Sequence, residues 1–137
     1  SASPSAELQN ALELYRSGDA LRAKSALEAI YRTDASSSAD RRRALAAAIL
    51  LSLELNTQDS LDEAGQLLEQ YSRLNTGTIE PEYYLLRESL SAAFYARLNA
   101  NARQDALITA QRKLDSAYSE RRQLESTLKK LRELSLE

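Results

Sequence analysis

The chain has 137 residues, a formal net charge of −2 and 28% charged residues, with no cysteine and no histidine. Acids and bases are interspersed, which leaves no global field to draw in nucleic acid or an anionic membrane surface. Without histidine and cysteine, the commonest general base, nucleophile and transition-metal ligands are missing. Leucine and alanine dominate, valine is absent, and there are only three glycines and two prolines. That is a helical menu, and the expected fold class is all-α.

Breakers divide the chain at Ser17-Gly18-Asp19, at DASSSAD (34–40), at Asn56 to Ser60, and at Asn75 to Thr78 before Pro81. Helices are expected at 5–16, 19–33, 39–55, 60–74 and from 80 onward. In the first, Leu8, Ala11, Leu12 and Tyr15 share a face. Asp19 caps the second, whose inward residues are Ala23, Leu27 and Ile30. The pair Asp34 and Asp40 reads as two further caps. Segment 44–55 is apolar nearly all round and belongs at the centre of the bundle. Arg41-Arg42-Arg43 is too short for a phosphate-binding stripe and reads as a solvated face. Ser60 with Glu63 has capping-box spacing, and the fourth helix turns Ala64, Leu67, Leu68 and Tyr71 inward. Gly77 suits the left-handed end of that helix, and Pro81 the first turn of the next.

SGDALRAKSALEAI and DSLDEAGQLLEQY repeat a small residue, then apolar residues four and seven on, at an offset of about 40. SGDALRAKSAL is similar to the turn and second helix of a tetratricopeptide repeat, with Gly18 and Asp19 at the turn and Ala23 at the small position. The resemblance covers roughly residues 7 to 74. It implies stacked helical hairpins. Residues 1–79 are expected to form this head, and 80–137 a long helix that packs on the head at its start and is a coiled-coil arm at its end.

From Pro81 to Leu134 there is no glycine or proline. An unbroken helix of that length spans roughly 80 Å, and the asparagines at 99 and 101 weaken it without breaking it. Its first half repeats Tyr83, Leu86, Leu90, Phe94 and Leu98, a face expected to pack on the head. The second half steps by three and four through Leu107, Ala110, Leu114, Ala117, Arg121, Leu124, Leu128, Leu131 and Ser135. That is a heptad seam interrupted by Arg121. A leucine row this narrow needs cover from another chain, either a second copy or a different protein. Candidate partner-binding residues are therefore Leu107, Leu114, Tyr118, Arg121, Leu124, Leu128 and Leu131. Tyr84, beside the inward-facing Tyr83, joins them as a surface aromatic.

Nothing in the sequence marks catalysis. No serine sits in a nucleophile-elbow setting, no glycine-rich phosphate loop exists, and Asp59 to Glu63 lacks calcium-loop spacing. No enzyme activity, cofactor, metal or small-molecule substrate is expected. No run reaches the roughly 20 apolar residues of a membrane span. Cysteine-free composition fits cytoplasm and periplasm alike, and the start at SASPSAELQ without methionine is that of a processed chain or a fragment.

A helical-repeat head followed by a long helix ending in LESTLKKLREL resembles bacterial envelope lipoproteins of the QseG/YfhG type. The resemblance rests on residues 124–134 and on architecture. It implies a lipid-anchored outer-membrane protein facing the periplasm, and as partner the helical periplasmic domain of a sensor histidine kinase of a two-component system. The expected function is non-catalytic protein–protein interaction through the C-terminal helix. A structural or assembly scaffold, a pilotin-like lipoprotein and a homodimeric coiled-coil adaptor are the alternatives.

Overall fold

Two backbone bonds and one side-chain cap show how abruptly the first two helices meet. Helix α1 (Ala6–Arg16) ends at Gly18, which takes φ +86°. Asp19 N–H donates to the Leu14 carbonyl and Gly18 N–H to the Tyr15 carbonyl, the paired bonds of a Schellman end. Asp19 then turns round and caps α2 (Ala20–Tyr31), its carboxylate accepting from Arg22 N–H. A side chain at position 18 meets no steric neighbour but must adopt the left-handed backbone. Gly18→Ala is expected to cost about 1–2 kcal/mol, measured as a drop in denaturant midpoint with unchanged slope.

The computed structural model describes residues 3–74 and 80–136. Among them the protein is all-α, with α3 (Ser38–Leu55), α4 (Gln58–Arg73) and α5 (Pro81–Leu136) completing five helices and no strand. Its contacts divide into two units, residues 1–97 and 98–137.

In the first unit each of α1 to α4 packs on its chain neighbour, and α1 also reaches α3. Short turns between packed helices make consecutive hairpins. Helix α3 is central, as its composition predicts: ten of its residues are buried, Ala44 to Ile49 among them. Leu8, Ala11, Ala23, Leu27 and Ile30 meet it from α1 and α2, and Leu61, Ala64, Leu67 and Tyr71 from α4. Lys24 of α2 pairs with Glu63 of α4 at 2.6 Å. Leu12, expected inside, is 39% exposed, because Leu8 and Ala11 take the contacts with neighbouring helices.

Two caps differ from expectation. The fourth helix begins at Thr57, whose side chain accepts from Ser60 N–H, while the Ser60 hydroxyl accepts from Thr57 N–H. The box is therefore Thr57/Ser60, one turn before the Ser60/Glu63 pair. Neither Asp34 nor Asp40 caps α3, because Ser37 does. Asp40 is buried and accepts from Ser5 N–H at 3.1 Å and from Arg43 Nη1 at 3.2 Å, tying the start of α1 to α3. The Gly77 expectation lies outside the described residues.

The start of α5 belongs to the first unit. The Tyr83 ring stacks on Tyr71 with centroids 4.9 Å apart, its hydroxyl donates to the Tyr71 carbonyl, and Arg42 lies over it at 5.2 Å. Gly65 leaves room for Phe94, whose ring tip would stand 3.2 Å from a Cβ there. Leu90 is buried, but Leu86 and Leu98 are 42% and 37% exposed. Steps of four rotate off a 3.6-residue helix, so the inward face runs Tyr83, Leu90, Phe94 rather than along every fourth residue.

Titration follows from this packing. Burial first, then the neighbouring Tyr83, pushes the Tyr71 phenol up to about 12, with Arg42 opposing. Burial and the hydrogen bond to Glu54, at 2.7 Å, push Tyr15 upward too. A raised phenol favours the folded state fully below its ordinary value of about 10 and loses that contribution as pH climbs through the folded value. Hydrogen bonding from Ser5 holds the Asp40 carboxyl below its ordinary 3.8. Its contribution is present above that value and lost as pH falls through the lower one. Denaturant midpoints are expected to fall steadily from pH 10 to 12 and again below pH 4.

Candidate protein-interaction surface

Residues 98–136 form the helical second unit, and every residue from Ala102 to Leu136 is exposed. As expected, the helix continues past Asn99 and Asn101, and α5 runs unbroken from Pro81 to Leu136. Arg103 Nε donates to the Asn99 carbonyl at 3.4 Å across this stretch. Helix formers fill the rest, and i,i+4 pairs support its polar side: Gln111 to Asp115 at 3.0 Å and Arg121 to Glu125 at 3.1 Å.

All eight predicted residues lie on α5, seven of them in the second unit at steps of three, four or seven residues. Leu107 is 71% exposed and Leu124 65%, and Leu114, Tyr118, Leu128 and Leu131 are about half-exposed. Arg121 shares their line, and its partner within the chain is Glu125, one turn on. In lone helices such a pair contributes only a few tenths of a kcal/mol, so the guanidinium is easily recruited elsewhere. Tyr84 stands apart, in the first unit, 42% exposed with Arg87 over its ring at 5.2 Å. Sequence reasoning missed Ile108, Leu134 and Leu136, which widen the apolar surface from positions off the seam. Their signal is simple hydrophobicity at positions outside the heptad step.

A hollow of about 580 Å³ lined by Asp115, Tyr118, Arg121, Arg122 and Glu125 is the flank of a single helix. Among the described residues no group of three or more acids is placed to hold a metal ion, and no helix is long and apolar enough to cross a membrane. Comparison with protein-family models, with curated proteins and with solved structures finds no match for this chain.

Proposed function

We propose that this protein is a non-catalytic interaction module whose C-terminal helix pairs with a helix of a second polypeptide. The observation that carries the reading is the exposed leucine line from Leu107 to Leu131. A helix exposing such a line in water gains little stability by itself, and covering it restores the hydrophobic contribution that tertiary packing gives other helices. The five seam leucines are each worth about 1.5–3 kcal/mol on full burial, so their half- to two-thirds-exposed surface holds most of that. Ion pairs on the flanks then set register and partner choice.

The similarity of LESTLKKLREL and of the helical order to periplasm-facing envelope lipoproteins supports a bacterial envelope setting. There the partner class is the helical periplasmic domain of a sensor histidine kinase. Capture from native membranes by the full chain and by a chain lacking residues 103–137 tests this reading. The full chain is expected to recover a helical membrane protein that the shortened chain does not. Recovery of the same proteins by both would refute it.

A further inference from the structure

Side-chain sizes differ between the two halves of the seam. In heptad terms the a positions are Leu107, Leu114, Arg121, Leu128 and Ser135, and the d positions are Ala110, Ala117, Leu124 and Leu131. Small residues hold d in the first half and leucines hold it in the second. A parallel, in-register pair sets Ala110 on Ala110, Ala117 on Ala117 and Arg121 on Arg121. It also places Glu120 of each copy against Glu125 of the other, two like-charge pairs at the flanking g and e positions.

Reversing one helix removes the Ala-on-Ala, Arg-on-Arg and Glu120–Glu125 juxtapositions. With the two-fold axis at residue 119, Leu107 meets Leu131, Ala110 meets Leu128, Leu114 meets Leu124, and Ala117 meets Arg121. Every small residue then faces a long one, and eight layers form by symmetry. The long Arg121 side chain crosses a methyl group instead of another guanidinium. Glu120 of each copy comes to the axis beside the two Arg121 side chains, so two acids and two bases share the centre. Arg121 leaves only an exposed intrahelical partner to do this. From Ala106 to Leu134 the paired length is about 42 Å, and a strip one helix wide covers roughly 900 Å² over both copies. That is close to the about 1,000 Å² a specific interface needs, before interdigitation adds to it.

We propose that the exposed seam of residues 107–131 is covered by a second copy of this chain, antiparallel and centred on residue 119. This rests on the reading that the C-terminal helix pairs with another polypeptide; it assigns the seam itself to a second copy and leaves the outward faces of the paired helices for the membrane partner.

The absence of native cysteine makes the test direct. Two variants of the full chain, Ala110→Cys and Leu128→Cys, are oxidised separately and mixed. A disulfide needs Cα atoms within about 7 Å, while positions 110 and 128 lie roughly 27 Å apart along one helix. The mixture is expected to give the mixed disulfide, and neither variant alone a covalent dimer. Covalent dimers from each variant alone would mean parallel pairing and overturn the proposal. Sedimentation equilibrium of the unaltered chain is expected to show a dimer, and a monomer at tens of micromolar or a larger oligomer would overturn it. Leu114→Asp, which changes two layers at once, is expected to weaken dimerisation about a hundredfold, and an unchanged constant would overturn it. A monomer that still captures membrane proteins through residues 103–137 sinks this inference alone. A monomer whose captures do not depend on those residues sinks both readings.

Discussion

Ile49→Ala is expected to lower folding stability by about 2–5 kcal/mol. Ile49 is fully buried in the middle of α3, the helix that α1, α2 and α4 all pack against. Removing its branched side chain opens a space that those helices cannot close without moving one another. Alanine returns only a few tenths of a kcal/mol in helix propensity, so the cavity decides the sign. Chemical denaturation followed by circular dichroism measures it, with Ile49→Val as the graded control at about 0.5–1.5 kcal/mol. A loss below about 1 kcal/mol for the alanine variant, well under the usual range, would mean that α3 is not the centre of this core.

Tyr83→Ala is expected to cost about 3 kcal/mol or more, the range for removing a buried aromatic ring. Tyr83 holds the first turns of α5 by three means at once: the stack on Tyr71, the bond from its hydroxyl to the Tyr71 carbonyl, and the Arg42 guanidinium over its face. Stacked rings and a cation over a ring each add about 0.5–1.5 kcal/mol beyond burial. The loss should fall on one segment before it spreads. Amide exchange between Tyr84 and Arg97 is expected to quicken more than exchange in α3. Tyr83→Phe keeps the stack and gives up the hydroxyl bond, for about 0.5–1.5 kcal/mol. Uniform quickening across α1 to α4 would show that α5 does not dock through this ring.

Much of this was legible in the chain because helices write themselves locally. Three breaks, the Asp19 cap, Pro81 at N1 and the apolar girth of α3 all depend on residues within one or two turns. Failures came where a choice was tertiary or where equivalent residues competed. Thr57 and Ser60 can both open a helix, and spacing to Glu63 favoured the wrong one. Asp40 looked like a cap because its partner, the Ser5 amide, lies 35 residues away in sequence. Leu86 and Leu98 fitted a four-residue step that a real helix carries off the buried face. The heptad spacing was readable because it is one-dimensional, and the structure leaves those residues exposed. An a/d pattern carries information about a mate only through size and charge at particular layers.

The bond pair at Gly18 and the double duty of Asp19 leave the first hairpin no slack. One inserted residue between 17 and 20 would turn α2 by about 100°, swinging Ala23 and Leu27 out toward water and Arg22 and Lys24 in. Between Arg32 and Ser37 the connection is twice as long and mostly exposed. Length variation and grafted tags should thus be tolerated at the second connection and rejected at the first.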